Sequence, residues 1–186
     1  MIGNELFNMK KSLLFGAAML LCACTSPATA KEGLVPFEVA ERGCLAEALL
    51  FEAGNQPLIG MIAVGEVIIN RIKSEKYPDT VCDVVHEGPI SKWHYKELNK
   101  KVPIKHRCQF SYYCDGKSDD IRDFERTETY EKVKTAVIYI LDILNTGMTK
   151  IRIVDGATHY HADYVDPSWS KHLERIVQIE DHIFYK

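Results

Sequence analysis

The chain has no apolar run reaching the roughly 18–20 residues needed to span a bilayer. It has no basic excess: 23 Lys and Arg stand against 26 Asp and Glu, a formal net charge of −3. That balance argues against a nucleic-acid binder, whose footprint is strongly cationic. No internal repeat or low-complexity tract is present, and no linker is long enough to divide 186 residues into two domains. Disordered and collagen-like classes are excluded, because 46% of the residues are hydrophobic and 26% charged, an ordinary globular balance. Cys-x-x-Cys spacing is missing, which weakens a zinc-site reading of the cysteines.

What is present begins with an address. Lys10 and Lys11 precede an almost wholly apolar segment from Ser12 to Leu21, the length of a signal-peptide core. Residues before Lys10 lack signal character, so Met9 is a candidate start. Residues 1–30 read as a signal peptide, 31–43 as a leader and 44–186 as the folded domain. Ala28-Thr29-Ala30 fits ordinary cleavage before Lys31 and is favoured. Leu21-Cys22-Ala23-Cys24 resembles a lipobox, in which Cys24 would carry a lipid anchor. Either exit predicts export to the periplasm or cell envelope.

Four cysteines lie beyond this segment: Cys44, Cys82, Cys108 and Cys114. An even number in an exported domain predicts disulfides. Four cysteines allow three pairings; Cys108 with Cys114 would close a short loop, with Cys44–Cys82 as its complement.

Apolar periodicity predicts helices over 38–53, 57–73 and 129–145, the last capped by Gly147. The second is apolar nearly all round and reads as the buried centre of the domain. Residues 77–120 read as an irregular region with short strands and a disulfide loop. Within it, the lysine-rich stretch 92–107 reads as a solvated, mobile loop that could attract an anionic polymer. A short strand is expected at 158–162 and one extended segment at 175–185. Helices early and extended pieces late predict an α+β fold.

Glu52 is the residue with most chemical promise. It sits in the last turn of the first helix, where the helix dipole disfavours an anion, and beside Leu49, Leu50 and Phe51. Both effects raise a carboxyl pKa. A carboxylic acid kept protonated near neutrality is suited to protonating a glycosidic oxygen. Glu47, about 140° round the same helix, reads as surface.

The segment Phe51-Glu52-Ala53-Gly54-Asn55-Gln56-Pro57, with Ala63-Val64-Gly65-Glu66-Val67-Ile68-Ile69-Asn70-Arg71, resembles the cell-wall hydrolases related to the spore-cortex-lytic enzymes SleB and CwlJ. Pro78-Asp79-Thr80-Val81-Cys82, Cys108-Gln109-Phe110-Ser111, Ala157-Thr158-His159-Tyr160-His161-Ala162-Asp163-Tyr164 and His182-Ile183-Phe184-Tyr185 continue the likeness in order. The resemblance covers residues 44–185. It implies a lysozyme-like single domain, mainly helical with short strands, acting on peptidoglycan. Glu52 becomes the catalytic acid of a lytic transglycosylase that cuts between N-acetylmuramic acid and N-acetylglucosamine. A true hydrolase of the same bond, or a non-catalytic peptidoglycan-binding envelope protein, is the alternative.

Two departures stand out. Gln56 replaces the acidic residue often found before that proline, after Asn55 in place of Arg, and Glu66 stands where small residues are usual. Mid-helix, Glu66 is expected to pair with Arg71 or Lys73, or to be exposed. Tyr160, His161, Tyr164 and Trp169 supply aromatic faces and polar groups suited to sugars. Gln109 and Ser111 flank Phe110, so an extended segment would point both to one side and make them candidate glycan contacts. His159 and His161 could form half of a zinc site, but no third ligand stands at diagnostic spacing. No metal or other cofactor is expected. His182 reads as structural, and the expected partner is the glycan strand.

Overall fold

The most apolar stretch of the chain forms its most buried helix. The structure is a computed structural model and describes residues 39–146 and 152–186. These belong to one unit, Leu34–Lys186. The expected signal peptide, most of the leader and the Gly147 cap lie outside the described residues.

Helices α1 (Val39–Ala53), α2 (Leu58–Ile72), α3 (Val81–Val85), α4 (Lys92–Leu98) and α5 (Glu128–Thr146) precede strands β1 (His159–Ala162), β2 (Arg175–Ile179) and β3 (His182–Tyr185). Residues 60–71 of α2 are all buried. Around α2 pack Leu45 and Leu49 of α1 and Val133, Ala136 and Ile140 of α5, with Phe184 of β3 in the same core. Gly65 lets α5 approach, since a Cβ there would collide with Ile140 Cδ1. Burying each of these aliphatic side chains contributes about 1.5–3 kcal/mol.

Local signals set the element ends. Gly54 closes α1, where any side chain would strike the Leu50 carbonyl oxygen. Thr127 Oγ1 accepts from Tyr130 N and caps α5. Thr80 Oγ1 accepts from Asp83 N at 3.1 Å and caps α3. Glu41 of α1 reinforces that end, its Oε2 accepting Val81 N at 2.5 Å. A Cys44–Cys82 disulfide ties the same two helices, and Cys108–Cys114 closes the six-residue loop.

Two expectations are corrected here. Residues 77–120 contain the short helices α3 and α4 and a 3₁₀ turn at Ser111–Cys114. Among the described residues of that region, the only strand-like pairing is the bridge Ile90↔Pro103. Thr80 and Ser91, each with a side-chain oxygen aimed at the N–H three residues on, start helices where strands were expected. The segment 175–185 is a hairpin rather than one extended run. It turns at Glu180–Asp181, with Glu180 in the left-handed region at φ 49°. The sheet order is β1-β3-β2, antiparallel throughout.

Polar residues of α2 clamp the approach to this sheet. Glu66 is 6% exposed and pairs with neither Arg71 nor Lys73. Its Oε2 accepts Ile153 N at 2.8 Å and Val154 N at 2.9 Å. Asn70 Nδ2 donates to the Val154 and Ala157 carbonyls, and Arg71 Nε donates to the Thr158 carbonyl at 2.8 Å. Three side chains on one helix thereby hold the backbone that leads into β1. The buried amide of Val154 needed an acceptor, and Glu66 supplies it.

Candidate active site

Glu52 opens into a cleft of about 640 Å³ between the end of α1, the 109–111 segment and the sheet. Phe110 is 1% exposed and extended (φ −105°, ψ 117°). Its neighbours Gln109 and Ser111 both line the cleft, as alternation predicts. Tyr160, His161, Tyr164 and Trp169 line it as well.

Glu52 is held by neutral donors. Ser111 N donates to Oε1 at 3.1 Å, and the Tyr160 hydroxyl donates to Oε2 at 3.1 Å. Among the described residues no lysine or arginine forms an ion pair with it. Burial pushes its pKa above the ordinary carboxylate value, and the donors from Tyr160 and Ser111 offset only part of that rise. Burial also keeps the Tyr160 phenol protonated, and the adjacent Glu52 adds to that effect. Glu47 is half-buried rather than fully solvated. Burial and then Asp119 raise its pKa, and it does not line the cleft.

The far wall is aromatic. Trp169 stands 5.4 Å from the His159 ring, 5.5 Å from His161 and 5.6 Å from Tyr185. His161 Nδ1 lies 2.9 Å from the Ala162 carbonyl and Nε2 lies 2.9 Å from the Tyr185 hydroxyl. The carbonyl can only accept, so Nδ1 is the donor of that contact. His159 Nδ1 lies 2.9 Å from Thr158 Oγ1. Among the described residues no three His, Cys, Asp or Glu side chains are grouped to hold a metal. Tyr164 is 84% exposed at the rim, an open face for a ligand. His182 is buried as expected, packed edge-on to Tyr160 at 5.2 Å, and it also lines the cleft.

Several lining residues were not expected from the sequence. Gln56 is buried, and its Nε2 donates to Asp181 Oδ2 at 3.0 Å, joining the α1–α2 turn to the β2–β3 turn. Asp181 is the second carboxylate of the cleft. Nothing local marks it, because it is an acid in a two-residue turn. Arg71 reaches the cleft floor, its guanidinium 5.2 Å from both the Tyr77 and Phe110 ring centroids. A charged residue on a mostly apolar buried helix was the available signal, since such groups need partners.

An α+β domain with a half-buried carboxyl of raised pKa facing an aromatic cleft has the make-up of a carbohydrate site. The chain belongs to the cell wall hydrolase family, whose profile matches residues 55–185. A spore cortex-lytic enzyme from Halalkalibacterium halodurans is 28% identical over 141 residues, 75% of this chain. The chain spans 33% of that relative's length. The catalytic domain of Bacillus cereus SleB superposes with a TM-score of 0.52 at 21% identity, over 83% of this chain and 95% of that one. The catalytic domain of the germination-specific lytic transglycosylase SleB from Bacillus anthracis gives 0.52 at 22% identity, over 82% and 99%. These two likenesses carry the fold.

Proposed function

We propose that the protein cleaves the glycan backbone of peptidoglycan between N-acetylmuramic acid and N-acetylglucosamine, with Glu52 as the single general acid and base. The observation that carries this reading is the state of Glu52: half-buried at a cleft, held by a tyrosine hydroxyl and a backbone amide, and with its pKa pushed above the ordinary carboxylate value by burial. The acid gives its proton to the leaving oxygen as oxocarbenium character develops on the sugar. Ionised Glu52 then accepts the proton of the sugar's own 6-hydroxyl as it closes an anhydro ring. Tyr160 and Ser111 N stabilise the carboxylate at that stage. Tyr164, Trp169 and His161 contact the sugar rings, and Gln109 and Ser111 their polar groups. The printed name of the B. anthracis relative, a lytic transglycosylase, agrees with this outcome. We further infer that residues 1–30 direct export, because the substrate lies outside the cytoplasm.

The second cleft carboxylate gives a specific alternative. Asp181 could serve a water-using hydrolase, although Gln56 already engages one of its oxygens. Mass spectrometry of muropeptides from digested cell walls separates the two: 1,6-anhydro ends are expected, and new reducing ends would favour hydrolysis. Glu52→Gln is expected to abolish product. A Glu52→Gln protein that clears walls at the parent rate refutes the assignment.

A further inference from the structure

The chain between Gly88 and Cys108 differs in character from the rest of the molecule. Lys92, Lys96, Lys100, Lys101, Lys105 and Arg107 stand there against one acid, Glu97, in a chain of net charge −3. All six cations are exposed. Of these six, only Lys96 has an ion pair among the described residues, with Glu97 at 3.9 Å in open solvent. Helix α4 buries none of its residues. Trp93 is 62% exposed, Tyr95 51% and Leu98 50%.

The backbone carrying these side chains is closely tied, contrary to the loop expected from sequence. Ser91 caps α4 by accepting from His94 N, and Asn99 ends it at φ 49°. Ser91 N donates to the Val102 carbonyl and Ile104 N to the Pro89 carbonyl, both at 2.8 Å. The stem is pinched: Gln109 N donates to the Glu87 carbonyl at 2.9 Å, and a Cβ on Gly88 would lie 3.0 Å from Cys108 Cα. A seven-residue helix gains little stability alone, and α4 buries none of its residues. An ordered scaffold that displays unpaired cations and aromatic faces is built to meet something outside the chain.

Its position suggests what. The excursion returns directly into the cleft wall, with Arg107 two residues from Gln109, at most about 7 Å of chain. A glycan strand lying in the cleft continues beyond it, and the peptides attached to its muramyl residues carry free carboxylates. We propose that the 88–108 excursion is a second contact surface for the wall polymer, where the lysines and Arg107 bind stem-peptide carboxylates and Trp93 and Tyr95 cover adjacent sugar faces. The proposal rests on the peptidoglycan reading above. Helix α4 is about 10 Å long, which favours this occupant over a lipid surface that would call for a longer amphipathic helix.

The test is co-sedimentation of the full chain carrying Glu52→Gln with intact sacculi and with sacculi stripped of stem peptides. Its partner is the same chain with Lys92, Lys96, Lys100 and Lys101 all changed to Gln. The charge variant is expected to bind intact sacculi at least about tenfold more weakly at about 0.1 M salt, and the gap to close at about 1 M salt. Parent binding to stripped sacculi should fall by a similar factor. Trp93→Ala should weaken binding to both substrates. An unchanged melting temperature checks that the variants fold, as exposed positions should allow. Equal binding by parent and charge variant, or equal parent affinity for stripped and intact sacculi, overturns the proposal. So does a charge effect seen on anionic phospholipid vesicles and not on sacculi, which would assign a membrane. Digestion by the chain with Glu52 intact is measured alongside; sacculi that are bound but uncut would count against the catalytic reading alone.

Discussion

Replacing Tyr160 with Phe isolates one hydrogen bond of the candidate site. The ring stays, with its contacts to Phe184 and His182; only the hydroxyl that donates to Glu52 Oε2 at 3.1 Å is lost. That donor favours the ionised carboxylate. A hydrogen bond to a charged group contributes about 1.5–3 kcal/mol and to a neutral one about 0.5–1.5, so the differential loss is about 1–1.5 kcal/mol. The Glu52 pKa should therefore rise further above its already raised value. In the proposed mechanism the protonated form donates to the leaving oxygen, so activity should fall as pH rises through that pKa. The basic limb of the kcat/KM profile should therefore move toward higher pH, while the plateau falls because the carboxylate formed in the reaction has lost a donor. The assay is the rate of wall-suspension clearing followed from acid to alkaline pH. A residue with only a packing role would lower the plateau and leave the limb in place. A limb that stays or moves to lower pH refutes the reasoning. The same linkage bears on stability. A carboxyl with a raised folded pKa is least costly below its unfolded value, and its cost grows as pH rises toward the folded value. Glu52→Gln should thus melt higher than the parent at neutral pH, and the gap should close in acid.

Other consequences follow from the scaffold. Glu66→Leu leaves the Ile153 and Val154 amides without their acceptor and should cost about 2–4 kcal/mol, whereas Glu66→Gln keeps an accepting oxygen and should cost about half as much or less; urea unfolding that finds the two equal would contradict the clamp. Cys44–Cys82 closes a longer loop than Cys108–Cys114, with separations of 38 and 6. Loop entropy gives about 4 kcal/mol for removing the first and about 2.4 for the second. The second removal should nevertheless lower activity more, since Gln109 and Ser111 lie inside its loop. Paired melting and clearing assays on Cys44→Ser/Cys82→Ser and Cys108→Ser/Cys114→Ser check both orders.

Helices α1, α2 and α5 were legible because a helix announces itself through apolar spacing within a few turns, and their ends fell within a residue or two of expectation. That Gln109 and Ser111 share a side about Phe110 was legible for a similar local reason, although Ser111 opens a 3₁₀ turn rather than continuing an extended segment. The C-terminal hairpin was not. Its two-residue turn at Glu180–Asp181 contains no glycine or asparagine, and Glu180 takes a left-handed conformation that its residue type does not advertise. Nor was Glu66, whose partners lie 87 and 88 residues away. An ion pair with Arg71 or Lys73 is what near neighbours suggest, but burial rewards whichever acceptor satisfies the orphaned amides.

By itself the sequence determined the α+β class, the buried central helix, and a lone acid at the end of the first helix with an apolar neighbourhood. Those properties depend on residue type and short-range periodicity, which a linear chain carries openly. Tertiary structure alone decided that Tyr160, 108 residues away, donates to that acid, that Gln56 meets Asp181 across 125 residues, and that the cysteines pair as 44–82 and 108–114. The proton affinity of Glu52 depends on which atoms displace water around it, and that set exists only once α1, the 109–111 segment and the sheet have closed on one another.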